Sequence, residues 1–281
     1  MEIISKELPS NHDLIIASDD HQGNALRYDA GVEKMKDFIL KEKNRFLVHL
    51  GDEMEAFYID DPRYSAETTI SCPLEQQKQV IKTYEPLVKA KRMLTLLMGN
   101  HTYKLIHKVG DITKDTCDKL KIPYGKYWCK LEVSDKHGLI YKAFLEHGSK
   151  GINSIADDPV RRLANMRLML KRHLYFKAGD CLIMAKGHCH KLIVCPPVPE
   201  LYLITDEKGE IKQKYTHSGD EGLGRIPPDT RWYVASGSFL KTSQAGVVSY
   251  SERAEYDPVE LGYVVCKIRD RKVESVERVV L

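Results

Sequence analysis

No stretch of this 281-residue chain holds the run of about 18 apolar residues that a membrane-crossing helix requires. A membrane partner is therefore not expected. Residues Met1 to Glu7 lack a basic segment followed by an apolar one, so no secretory signal is read and a cytoplasmic location is expected. The chain also lacks any Cys-x-x-Cys pair, and its seven cysteines form an odd set, which argues against a disulfide framework and a zinc knuckle. Free thiols are expected. Neither sign of charge dominates: a net charge of +3 neither announces nor excludes a nucleic-acid partner. There is no internal repeat and no low-complexity tract, and the length suits one α/β domain spanning residues 1–281.

What the chain does have is a recurrent pattern in which an apolar run stops abruptly at metal-capable side chains. The run from Leu14 to Ala17 leads to Asp19 and His21, Phe46 to Leu50 to Gly51-Asp52, and Met93 to Met98 to Gly99-Asn100-His101. Further along, Leu139 to Glu146 leads to His147, and Cys181 to Ala185 leads to Gly187-His188-Cys189-His190. Continuous apolar runs read as strands covered on both faces, and in open α/β sheets ligands gather beyond the carboxyl ends of such strands. Helical spacing over Asn24 to Lys43 and Leu74 to Arg92 places a crossover helix between successive strands, so the class is α/β with parallel pairs. Short helical character recurs over Asp111 to Leu120, and a longer helix is expected over Asp157 to Phe176, with Pro159 in its first turn. One face of that helix is basic, with Arg161, Arg162, Lys171 and Arg172. After Lys191, alternating runs ending at Lys272 to Val280 read as antiparallel strands of a second sheet.

Imidazole and carboxylate together suit first-row metals such as zinc, manganese, iron or nickel, and an amide oxygen such as that of Asn100 ligates where stronger ligands already hold an ion. Asp19, His21, Asp52, Asn100, His147, His188 and His190 supply seven groups, enough for two ions. His188 and His190, two apart, project to one side only if extended, so they are expected on a strand end or loop. A carboxylate shared by two metals would hold them about 3.5 to 4 Å apart, the separation used for displacement at phosphorus. Asp52, the lone carboxylate of its strand end, is the candidate bridge. His12, His49, His107, His137, His173 and His217 fall outside the pattern and read as structural or surface residues. Cys189, between two ligands, is expected to turn its sulfur away from the metals and pack.

In their order along the chain, Asp-x-His at 19–21, Gly-Asp at 51–52, Gly-Asn-His at 99–101, the lone His147 and Gly-His-x-His at 187–190 resemble the signature of the calcineurin-like metallophosphoesterases. The resemblance covers most of the chain. It implies a four-layer α/β/β/α sandwich with a dinuclear metal site at the strand ends. One ion would be held by Asp19, His21, Asp52 and His190, and the other by Asp52, Asn100, His147 and His188. It also implies that His101 is no ligand and instead hydrogen-bonds or protonates the leaving group. Tyr103 and Lys104, which follow His101, are read from their position as either phosphate contacts or plain surface residues. Two departures touch the support of His101: Thr102 and Glu55 stand where the family often has acidic residues and aspartate, respectively.

Within that family the chain is most similar to phage and prophage phosphoesterases, on His147-Gly148-Ser149 before a long helix and on Ser236 to Leu240 with Ser249 to Glu252. If phage-encoded, it would act in the host cytoplasm. The expected activity is hydrolysis of a phosphodiester, in nucleic acid or a nucleotide, by a metal-bound hydroxide. Two divalent ions are expected, manganese first, with zinc, iron, nickel or magnesium as alternatives. Arg161, Arg162, Lys171 and Arg172 form either a plain solvated face or an approach for a polyanion, and Phe57, Tyr58 and Tyr64 either pack against the protein or stack on a base. The competing expectations are a metal-holding protein-interaction scaffold with little catalysis and a phosphomonoesterase or protein phosphatase.

Overall fold

A computed structural model describes residues 1–216 and 224–281 of the chain, so His217 lies outside the described residues. In chain order the strands and α-helices are β1 (Glu2–Glu7), β2 (His12–Ala17), α1 (Asp29–Lys41), β3 (Arg45–His49), α2 (Pro73–Lys89) and β4 (Met93–Leu96). Then come the short α3 (Asn100–Tyr103) and α4 (Ile106–Val109), α5 (Ile112–Leu120), β5 (Trp128–Asp135), β6 (Gly138–Glu146), α6 (Pro159–Leu174) and β7 (Ile183–Lys186). The remainder is β8 (Leu192–Cys195), β9 (Leu201–Thr205), β10 (Ile211–Tyr215), β11 (Trp232–Ser236), α7 (Tyr250–Arg253), β12 (Gly262–Arg269) and β13 (Lys272–Val280).

The chain is mixed α/β. One sheet has the order β13-β12-β2-β3-β4 and a second the order β1-β5-β6-β7-β11-β8, while β9 and β10 pair as a separate hairpin. β2, β3 and β4 run parallel, as the intervening helices α1 and α2 require. Alternation explains why the central strands are apolar at successive positions. Along β2 and β3, Leu14, Ile16, Phe46 and Val48 enter a core shared with Ala143, Leu145, Ile183 and Val234 of the other sheet. Their neighbours Ile15, Ala17 and Leu47 turn the opposite way, into a core with Val32 and Met35 of α1 and Val80 and Tyr84 of α2. On the far side of the second sheet, Phe144, Met184 and Tyr233 pack with Leu170 and Leu174 of α6.

Three features of the fold differ from the sequence reading. The C-terminal strands do not form one antiparallel sheet: β8 and β11 join the six-stranded sheet and β12 and β13 the five-stranded one. β12 is buried at five successive positions from Gly262 to Cys266, so it needs cover on both faces and lies beside β2. Secondly, the first helix begins at Asp29 and not Asn24, because Asn24 Oδ1 accepts from the Leu26 amide at 2.8 Å in a local turn and the Tyr28 amide bonds Phe239 O. Thirdly, β1 was not legible as a strand. It has one buried residue in six and is held by parallel pairing to β5.

Among the described residues no helix is long and apolar enough to cross a membrane.

Candidate metal centre

Each predicted ligand sits just past the end of a strand, and backbone contacts lock these ends together. Asp19 N donates to Gly51 O at 3.0 Å and His21 N to Asp52 O at 3.0 Å, so the loops after β2 and β3 are zipped side by side. Asp19, His21, Asp52, His188 and His190 all adopt left-handed backbone, with φ between 50° and 68°. That region is unfavourable for residues with a Cβ, and such strain gathers where side chains must be aimed at a ligand. Gly51, at φ 95°, turns the chain beside His147, and Gly99 allows the β4 end to press against Asp52.

The side chains meet in two adjacent groups. In the first, His190 Nε2 lies 3.3 Å from Asp19 Oδ1 and 3.2 Å from His21 Nε2, and His21 Nε2 lies 3.9 Å from the same carboxylate oxygen. In the second, His147 Nε2 is 3.1 Å from Asp52 Oδ2 and 2.9 Å from Asn100 Oδ1, with His188 Nδ1 2.7 Å from Asn100 Oδ1. Asp19, His21 and His190 form one triad able to hold a metal ion, Asp52, His147 and His188 another, and His21, Glu55 and His101 a third. All the predicted ligands are thus brought together at one end of the sheets, on loops except for Asn100, which opens α3. His188 and His190 lie on a loop, as expected, but diverge, one to each group.

The donor set fits cations. His21 Nδ1 bonds Glu55 Oε2 at 2.8 Å and His147 Nδ1 bonds the Leu50 carbonyl at 2.7 Å, which assigns the ring proton to Nδ1 and turns the Nε2 lone pair inward in each. Those lone pairs face oxygens of Asp19, Asp52 and Asn100, so acceptors confront acceptors. Asp19 Oδ1 is moreover buried with no hydrogen-bond donor. In the metal-free chain protons take up the slack. Burial opposes charge on His147, but Asp52 and Asp19 outweigh it and hold its pKa at about 9. Burial also opposes ionisation of Asp52 and Asp19, yet the surrounding histidines keep both below the usual carboxylate range. His188 goes the other way: burial, then His147, push it down to about 4.

Several residues around the cluster escaped sequence reasoning. Glu55 orients two rings, accepting from His21 through its carboxylate and from His101 Nδ1 through its carbonyl, the latter at 2.7 Å. His101 N donates to Asp52 Oδ1 at 3.0 Å, and the ring stacks on Phe57 at 4.5 Å. Arg63 Nη1 lies 3.2 Å from His101 Nε2. Burial pushes His101 down to about 4, so its neutral ring accepts from Arg63. Beneath the ligands, buried Asp20 is contacted by Tyr84, by His49 Nε2 at 3.3 Å and by Arg27 Nη2 at 3.8 Å. On the other flank Ser18 bonds Asp19 and Ser236, and Ser238 Oγ donates to Asp19 O at 3.1 Å, so the end of β11 and the residues after it brace Asp19. The only sequence signal for Glu55 was its place three residues after Asp52.

Other expected contacts fall elsewhere. Arg161, Arg162, Lys171 and Arg172 lie on α6 and do not line the cavity at the cluster; Lys171 Nζ is 3.7 Å from Asp229. Tyr103 is exposed with its ring edge-on to Tyr127, and Lys104 Nζ is 3.6 Å from Asp61. Tyr58 packs against the core under α1 and α2. Cys189 packs against the α6 core. Among the remaining histidines, His12 bonds Tyr141 and Pro9, His173 Nδ1 is 3.5 Å from Lys186 Nζ, and His107 and His137 are exposed. No protein-family model and no curated protein matches this chain.

Proposed function

We propose that this chain is a dinuclear metal-dependent phosphoesterase of the calcineurin-like kind that cleaves phosphodiesters. The observation that carries the reading is the convergence of seven strand-end side chains into two adjacent groups whose imidazole lone pairs and carboxylate oxygens face one another. Support for a four-layer α/β/β/α sandwich comes from the three apolar cores, one between the sheets and one beneath the helices on either side.

Asp19, His21, Asp52 and His190 would hold one ion, and Asp52, Asn100, His147 and His188 the other, with Asp52 shared. What two divalent ions supply in such a site is positive charge on the phosphoryl oxygens and a water acidic enough to attack at neutral pH. The chain's own residues set the geometry. Glu55 and Leu50 O hold Nδ1 of His21 and His147, so both rings already turn Nε2 into the cluster. His101, gripped through Nδ1 and stacked on Phe57, places Nε2 at the edge of the cluster; to hydrogen-bond a departing oxygen that nitrogen would have to take up a proton and give up its contact with Arg63.

The test is hydrolysis of bis(p-nitrophenyl) phosphate by folded protein with added manganese. Turnover is expected, and His101→Ala should lower it by roughly 10²-fold or more. No turnover with any divalent metal would overturn the reading, and a strong preference for p-nitrophenyl phosphate would reverse the diester assignment.

A further inference from the structure

The cluster of candidate metal ligands opens into a cavity of about 520 Å³ whose walls come from several separate parts of the chain. That volume suits a small molecule, since ligand pockets typically enclose about 300 to 1,000 Å³. Next to His101 the wall is built by Phe57 and Arg63; farther along the chain it is completed by Tyr250, Tyr256 and Asp257.

Arg63 is held as a binding group is held. Its Nε and Nη2 each bond Asp61 at 3.0 Å, and its guanidinium lies 4.1 Å from the centroid of the Phe57 ring. Of the five N–H donors a guanidinium carries, Asp61 takes two through the side chain and His101 takes one. Two donors remain, on a planar cation fixed at the edge of the cluster, and this is the arrangement that captures a phosphate oxygen. Tyr250 and Tyr256 form an edge-to-face pair with centroids 5.8 Å apart, yet they stay 45 % and 58 % exposed. Exposed rings inside a concave site offer a stacking surface for a base. Glu255 and Asp257 line the same part of the cavity. Carboxylates there accept from the amino or hydroxyl groups of a nucleoside but repel the successive phosphates of a polymer.

We propose that Arg63 binds the substrate phosphate and that the cavity seats one nucleoside against Tyr250 and Tyr256, so that the substrate is a nucleotide-sized phosphodiester and not a nucleic-acid polymer. The inference rests on the phosphoesterase reading above.

The experiment compares the manganese-loaded full chain on thymidine 5′-(p-nitrophenyl phosphate), bis(p-nitrophenyl) phosphate, and single- and double-stranded DNA. The thymidine ester should be preferred over the simple diester by about tenfold or more in kcat/KM, and the double variant Tyr250→Ala/Tyr256→Ala should erase most of that preference. Arg63→Gln should raise KM for both small diesters, and Arg63→Lys should recover part of it. Equal kcat/KM for the two small diesters, faster cleavage of DNA than of the thymidine ester, or an unchanged KM in Arg63→Gln would overturn the inference. Should no diester be cleaved at all, the phosphoesterase reading fails first. Calorimetric titration with a thymidine phosphorothioate diester then decides the binding claim: binding weakened in both sets of variants sustains it, and no binding overturns it.

Discussion

Gly99 lies against Asp52 with no space for a side chain: a Cβ at Gly99 would fall 1.9 Å from Asp52 Oδ1 and 2.2 Å from its backbone nitrogen. The first is a short buried carboxylate held by the His101 amide and the second is backbone, so Gly99→Ala must displace the carboxylate or the loop that carries it. The bond from His101 N to Asp52 Oδ1 would go with it. Misplacing a reacting constellation by about 1 Å costs on the order of 10²-fold in rate. The variant should therefore keep its secondary structure by circular dichroism while losing bound metal and turnover. Full metal content with normal turnover would show that Asp52 does not need its present position.

Glu55→Gln isolates one part of the ligand support. The substitution weakens the bond to His21 Nδ1 but leaves the Glu55 carbonyl that holds His101. A carboxylate behind a ligating histidine sets its ring orientation and basicity, and losing it typically costs about 10- to 100-fold in metal affinity. Competition with a fluorescent chelator should register that loss. An affinity equal to that of the unaltered chain would argue against His21 as a ligand.

Why Glu55 was hard to see, while Asp52 was not, follows from how each is specified. Asp52 ends an apolar strand after a glycine, a signal contained within a few residues. Glu55 acts on His21 across 34 residues, and Arg63 on His101 across 38, so only the folded chain shows either pairing. The same limit applies to the sheets. The continuous apolar runs of β11 and β12 say that both faces are covered but not which strands lie alongside, and the partners of β11 proved to be β7 and β8. The left-handed backbone at Asp19, His21, Asp52, His188 and His190 has no local sequence mark either, because none is glycine. Helices were the more readable elements: α2, α5 and α6 carry their own amphipathic period and fall within a few residues of their expected bounds.

Metal uptake should release a proton. In the metal-free chain His147, at about 9, is protonated at neutral pH, while His188, at about 4, is already neutral. A ligating imidazole must be neutral, so at pH 7 binding has to expel the His147 proton, and the cost vanishes only above about pH 9. Affinity should thus rise by roughly tenfold per pH unit between pH 6 and 8 for one displaced proton. Calorimetry in two buffers of different ionisation enthalpy would count the protons released. A heat independent of buffer would mean that His147 is not among the ligands.

Tyr84→Phe addresses the support beneath the ligands. Tyr84 is fully buried on α2, its hydroxyl donates to Asp20 Oδ2, and Asp20 lies between the candidate ligands Asp19 and His21 in sequence. Phenylalanine fills the same volume, so the change removes a donor and little packing. Asp20 would keep His49 at 3.3 Å, which faces the other oxygen, Oδ1, without a hydrogen bond, and Arg27 at 3.8 Å from Oδ2, too far for a direct bond. Leaving a buried acceptor short of a donor costs about 1 to 3 kcal/mol, with charged acceptors near the upper end. Urea denaturation should show that loss as a lower midpoint with an unchanged slope. Asp20→Asn, and then the double variant, close a thermodynamic cycle: if the hydroxyl and carboxylate stabilise one another, the double variant should lose less than the sum of the single changes, by about 0.5 to 3 kcal/mol. Strict additivity would mean that Tyr84 acts through packing alone and that Asp20 is held in place by His49 and Arg27.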